Sequence, residues 1–240
     1  MAAGLLPFSV WLDGSIAAER FYPYIETHAP NQKVGFHLKD GRPYSGFPIV
    51  LPLLITPFYA PAALAVRAAD WDAGRIVVLA AVLEKLTASL VAALSVGMLY
   101  LLALRLASPR KALAAALIYA FATETWAVSS QALWQHGGGQ LAVAAGLYCL
   151  VRFWEDPGRR RWLLAAGAAA GLAAAIRPSN ALFVAAAGAW MLTATRRPRD
   201  WAAFLAFPLA LGAAVAAYNL HVFGRVSGGN PALFQAPLWP

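Results

Sequence analysis

Six apolar runs, at roughly 78–104, 111–127, 138–153, 162–177, 180–195 and 201–222, are separated by junctions that are basic at every second position. Arg105, Arg110 and Lys111 follow the first run, Arg152 with Arg159, Arg160 and Arg161 follow the third, and Arg196, Arg197 and Arg199 follow the fifth. No other feature constrains the fold as much. Apolar segments of this length bury their backbone polar groups as helices, and basic residues in short loops set which side of a bilayer each junction faces. The expected fold is therefore all-α, a polytopic membrane helix bundle of about six spans with the basic junctions cytoplasmic. The junctions at 124–137 and 177–180 then face outward, as do the opening stretch and the residues after 222.

Composition agrees. Hydrophobic residues make up 60% of the chain and charged residues 12%, with a mean hydropathy of +0.58, too little polar surface for a soluble domain. The net charge of +8 sits in short clusters at run ends, which are topology determinants and not a nucleic-acid footprint. The single cysteine, Cys149, lies inside an apolar run; it excludes an intrachain disulfide and reads as a small packed hydrophobe. The N-terminal MAAGLLPFSVWLDG has no basic region, and its apolar part is too short to cross a bilayer. It reads as the tail of a span, and QAPLWP ends with no closing helix, so material is expected to be missing at both ends.

Residues 1–77 read as an outer loop with juxtamembrane helices, 78–222 as the helix bundle and 223–240 as the start of a further outer loop. Within the first part, 48–66 is apolar and long enough to span, but Pro48, Pro52, Pro57 and Pro61 recur every four or five residues. Each removes a backbone donor and clashes with the preceding turn. Parity also disfavours a span here, so helix pieces lying on or dipping into the outer surface are expected, with a kinked span as the alternative. Gly167 and Gly171 have GxxxG spacing, which predicts close helix packing.

The polar residues at the outward junctions need a reason. SSQALWQHGGGQ, at 129–140, holds Gln135 and His136 ahead of three glycines. A helix starting near Gly139 would point free N–H groups at an anion, and the imidazole can donate to a phosphate. Arg177 is the only charge between Arg161 and Arg196 and ends a span on the outer side, against the positive-inside trend. Its guanidinium suits a phosphate; the plainer readings are a snorkelling arginine and an interfacial histidine. The stretch 8–45 holds Asp13, Glu19 and Glu26 among aromatics, any of which can act as a base at the outer surface or be a solvated charge. Glu84 and Lys85 open the first run, and Glu124 ends the second. No metal-ligand set or nucleotide-phosphate loop is present.

The succession of an acidic outer loop, RPYSGFPIVLPLLITPFY, the run from EKLTASL to RLASPRK, SSQALWQHGG and GLAAAIRPSNALF resembles the bacterial members of the GT-C superfamily. These are polytopic glycosyltransferases related to the aminoarabinose transferases and the protein O-mannosyltransferases. The resemblance covers about Pro7 to Gly229 and implies several things. The donor would be a polyprenyl-phosphate sugar, the acceptor a glycan, lipid or protein of the cell envelope, and the active face would be the periplasmic side of a bacterial inner membrane. The loop acid of the family has no single match: Glu19 comes first, then Asp13 and Glu26. Arg177 stands where the family often has a lysine that holds donor phosphate, and His136 stands near a second acidic position, with Gln135 beside it. The resemblance also implies a missing first helix and missing later helices. Whether a divalent metal is required stays open. A second reading is a non-catalytic membrane protein or a (glyco)lipid transporter that uses the same phosphate site.

Overall fold

The computed structural model describes residues 2–229, so 230–240 of the expected last loop lie outside the described residues. The structure is almost wholly helical: α1 (Ala2–Asp13), α2 (Tyr22–His28), α3 (Val50–Ile55), α4 (Ala60–Ala68), α5 (Ala73–Leu106), α6 (Pro109–Phe121), α7 (Gln135–Glu155), α8 (Arg161–Ile176), α9 (Ala181–Ala194) and α10 (Pro198–Phe223). A helix thus stands at each of the six expected runs. They differ in reach. By length and composition α5, α10 and the segment Val50–Ala68 can each cross a membrane, whereas α8 is a shorter apolar helix. At 1.5 Å per residue the 34 residues of α5 extend about 51 Å, well beyond the roughly 30 Å of a hydrocarbon core.

The described residues fall into two compact units: one comprises residues up to 87 and those from 215 on, the other 88–214. The second unit is a helix bundle whose core is formed by Cys149, Leu150 and Phe153 of α7, Leu163, Ala166 and Ala170 of α8, Ala187 and Met191 of α9, and Phe204 of α10. Cys149 is buried among these apolar side chains, as expected of a small hydrophobe. The basic junctions gather at one end of this unit. Arg105 at the end of α5 pairs with Glu155 at the end of α7 at 2.6 Å, and Arg160 before α8 pairs with Asp200 in the first turn of α10 at 3.0 Å. Trp134 and Trp154 flank α7 twenty residues apart, about 30 Å along a helix, the spacing of two aromatic interface belts.

The GxxxG pair has a specific partner. Pro208 inside α10 lacks the N–H that the Phe204 carbonyl would receive. A Cβ added at Gly167 would lie 2.0 Å from the Phe204 oxygen, and one at Gly171 2.9 Å from the Pro208 nitrogen. The two glycines let α8 sit directly on the backbone of α10 where proline has opened it.

In the first unit α1 runs on to Asp13, longer than the six-residue tail expected. Phe8 on α1 meets Tyr59 edge-on at 5.5 Å, and Trp11 Nε1 donates to the Thr56 carbonyl at 2.8 Å. The proline-rich segment is built from α3, a short 3-10 turn and α4. A 3-10 turn at Thr56–Tyr59 separates α3 from α4, and the donors that the prolines remove are replaced. The Thr56 N–H goes to Leu53 O, the Thr56 hydroxyl to Pro52 O at 2.9 Å and the Ala60 N–H to Pro57 O. Because the turn continues the helical path, Val50–Ala68 is nevertheless one run of 19 residues, long enough to cross.

A two-stranded antiparallel hairpin, β1 (Phe36–Lys39) and β2 (Arg42–Ser45), is an addition to the expected short helices. Its turn residues Asp40 and Gly41 have φ of 50° and 77°, the paired positive values that an Asp-Gly hairpin turn requires. Tyr44 of β2 packs with Ala17 and with Val222 at the end of α10, and Lys39 Nζ donates to the His221 carbonyl.

Candidate functional site

The junctions of the second unit at 124–137 and 177–180 meet at one cluster. After α6 the chain passes through Glu124 and one π-helical turn, Thr125–Ser129, a geometry common beside functional sites. Trp134, in extended conformation, then caps α7. The helix begins at Gln135 and not near Gly139, so His136 lies in its first turn. The glycines permit this early start through close packing: a Cβ at Gly137 would touch Ser129 at 3.4 Å, and one at Gly139 would lie 2.6 Å from Asn180 Nδ2. Asn180 in turn donates to the Ala173 carbonyl at 3.2 Å, tying the 177–180 turn to the end of α8.

Arg177 caps α8 in extended conformation and its Nη1 lies 3.1 Å from His136 Nδ1. A guanidinium can only donate, so Nδ1 accepts and the proton of the neutral ring sits on Nε2. Glu124 Oε1 lies 3.8 Å from the same Nδ1, too far for a hydrogen bond, and 3.5 Å from Gln140 Nε2. His136 is about one-third exposed and Glu124 about half. His136 and Arg177 therefore share a partly solvated pocket whose charge is one fixed cation with a carboxylate nearby.

His136 and Arg177 line a cavity of about 230 Å³ together with Gly139, Gln140, Val143, Ala144 and Leu147 of α7, and with Leu99, Tyr119 and Asn180. The α7 positions lie three or four residues apart and so share one helix face. The face is polar at its start and apolar for the following two turns.

The expected phosphate ligands thus divide. His136 and Arg177 are brought together. Gln135 is half-buried but lies outside the cavity wall; Gln140, five residues on, takes its place. Gln140, Asn180 and Glu124 are the residues sequence reasoning missed or left without a role. For Gln140 the signal was helical phase, since it falls one turn after His136 on the same face. Among the described residues no three His, Cys, Asp or Glu side chains gather as metal ligands would.

The three loop carboxylates belong to the first unit, and each holds a cation. Asp13, at the end of α1, takes Arg20 in a fork, with Nη2 at 2.6 Å and Nε at 2.9 Å from Oδ1. Glu19 holds Arg42 at 2.5 Å, and Glu26 holds Lys33 at 2.6 Å. Hydrogen bonding to these carboxylates raises the Arg20, Arg42 and Lys33 side chains above their ordinary values. All three pairs are solvent-exposed, so each contributes little stability and its carboxylate can change partners at small cost.

No curated protein and no solved structure matches the chain. A family model described as dolichyl-phosphate-mannose-protein mannosyltransferase matches residues 77–220. This is more than half of the chain, and it takes in the whole cavity wall but none of Asp13, Glu19 and Glu26. An all-α chain with membrane-crossing helices and this match belongs to the dolichyl-phosphate-mannose-protein mannosyltransferase family, a family of GT-C-type membrane glycosyltransferases.

Proposed function

We propose that the chain is the core of a glycosyltransferase that takes a sugar from a polyprenyl-phosphate donor and passes it to a glycan, lipid or protein acceptor. The reaction takes place on the periplasmic face of a bacterial inner membrane. One observation carries the donor assignment: the cavity joins a cationic part, Arg177 with His136, to an apolar wall of Val143, Ala144, Leu147 and Leu99. A phosphate with a hydrocarbon tail matches both halves. Arg177 donates to phosphate oxygens, and the Nε2–H of His136 is a second donor. As the sugar carbon–oxygen bond breaks, the phosphate gains charge. Preorganised donors there stabilise the transition state more than the ground state.

The acceptor hydroxyl loses its proton to a carboxylate of the N-terminal stretch. Glu19 is the first choice, followed by Asp13 and Glu26, each after releasing its present cation. The hydroxyl oxygen attacks the anomeric carbon as the lipid phosphate leaves, and a single displacement inverts that carbon. No metal is assigned. A transporter reading finds little support, since transport calls for polar side chains at mid-depth on several helices, whereas the faces of α7, α8 and α9 that meet in the core are apolar.

The test is sugar transfer from a lipid-linked donor by the full-length protein carrying Arg177→Ala or His136→Gln. Each is expected to lower the rate; unchanged rates in both would sink the assignment.

A further inference from the structure

The opposite end of the second unit carries a second organised charge cluster that the transfer reaction does not use. The junction of α7 with α8 holds Arg159 and Arg160, with Arg161 opening α8, and that of α9 with α10 holds Arg196 and Arg197, with Arg199 in the first turn of α10. Asp200 joins them. Its carboxylate, only 2% exposed, accepts from Arg160 Nε at 3.0 Å and from the Thr195 hydroxyl at 2.7 Å. The Arg197 N–H is bonded to that same hydroxyl at 3.2 Å. One buried carboxylate thereby holds two arginine loops side by side. Arg159 is neutralised by Asp156 at 2.6 Å and Arg160 by Asp200. Arg161, Arg196, Arg197 and Arg199 are exposed, and among the described residues no carboxylate pairs with them. Trp154 and Trp190 stand 6.1 Å apart on the helix ends that lead into these loops, with Trp154 70% exposed. They are aromatic side chains of the kind that settle at headgroup level.

We infer that this clamped arginine pair of loops is a binding site for the phosphodiester headgroup of an anionic phospholipid. Guanidinium groups bind phosphate oxygens in forks. Exposed tryptophan beside them supplies the apolar contact that a lipid, unlike a soluble anion, provides. The inference is independent of the donor reading, because it concerns other residues at the other end of the unit.

The experiment uses the purified full-length protein in detergent, titrated with phosphatidylglycerol, phosphatidylcholine or inorganic phosphate, with bound lipid read by native mass spectrometry. The wild type is expected to retain phosphatidylglycerol in preference to phosphatidylcholine, and millimolar inorganic phosphate not to displace it. The quadruple variant R161Q/R196Q/R197Q/R199Q is expected to lose affinity on the order of several hundredfold, from about fivefold for each of its basic residues near an anionic headgroup. A control with two charges removed elsewhere, R110Q/K111Q, retains binding and shows that the effect is local. D200N separates the clamp from charge counting: it adds positive charge, yet is expected to weaken binding several-fold by freeing the loops. Equal retention of both lipids by the wild type, displacement by inorganic phosphate, or unchanged binding in the quadruple variant would overturn the site. Tighter binding in D200N would overturn the clamp.

Discussion

Replacing Gly167 by alanine adds one methyl group at the place where α8 lies on α10. The added Cβ would stand 2.0 Å from the Phe204 carbonyl oxygen, 2.8 Å from its carbon and 3.0 Å from its Cα. Ordinary C···O contacts begin near 3.3 Å, so the helices must separate by more than about 1 Å. Nothing near this contact is a flexible side-chain end that could give way. Overpacking of this kind costs about 1–3 kcal/mol, and rigid backbone on both sides argues for about 3 kcal/mol. Alanine returns up to about 1 kcal/mol through its better helix propensity, which leaves a net loss of about 2 kcal/mol. Gly212, in α10, provides the control, because a Cβ there meets nothing within 4 Å. Gly212→Ala gains propensity without strain. The two substitutions are chemically identical, so they are expected to shift stability in opposite directions. Denaturant or thermal unfolding of the purified protein in detergent, followed by tryptophan fluorescence, measures both. If Gly167→Ala proves as stable as Gly212→Ala, the close approach of α8 to the opened backbone of α10 is wrong.

Arg177→Ala is expected to lower kcat for transfer by about 10²–10³, the usual consequence of removing one donor to a developing anion; Arg177→Lys, which keeps the charge but loses the fork, should recover part of it. Among Asp13→Asn, Glu19→Gln and Glu26→Gln, the one that removes the base is expected to lose about 10²–10⁴ in kcat. The other two should shift thermal unfolding little, because the pairs they break are exposed; equal small losses in all three would remove this stretch from the chemistry. Gly41→Val forces a β-branched side chain into φ of +77°, a left-handed conformation such residues avoid. It should destabilise the hairpin, seen as faster amide exchange over residues 36–45, and unchanged exchange would refute the turn geometry.

How much was legible in the sequence depends on whether the signal was periodic or tertiary. The helix bundle was legible because the apolar runs are long and the arginine clusters mark every second junction. The GxxxG pair was legible as a packing signal, but its partner was not: that the partner is backbone opened by Pro208 depends on how α8 and α10 cross. Asp40-Gly41 was a local hairpin signal in plain view, passed over because the flanking strands are only four residues each and lie among aromatic and charged residues without clear alternation. In the site, His136 and Arg177 stood out because each is a polar residue at an apolar helix end. Gln140 was not singled out, and the helix was expected to begin near Gly139. Starting it at Gln135 changes which side chains share a face with His136. The lone glutamate before the π-helical turn carried no local signal, since Glu124 meets His136 only through the approach of α6 to α7.

The most direct test of the central claim is the binding of a short-chain polyprenyl phosphate, without sugar or acceptor, to the purified full-length protein. Wild type and Arg177→Ala are compared, with the corresponding polyprenol as the uncharged ligand. A charge-assisted hydrogen bond of about 1.5–3 kcal/mol predicts that Arg177→Ala weakens phosphate binding about tenfold to a hundredfold, and that the polyprenol binds both proteins equally weakly. Equal affinity of wild type and Arg177→Ala for the phosphate, or equal affinity of the wild type for phosphate and alcohol, would contradict a lipid-phosphate site at Arg177 and His136.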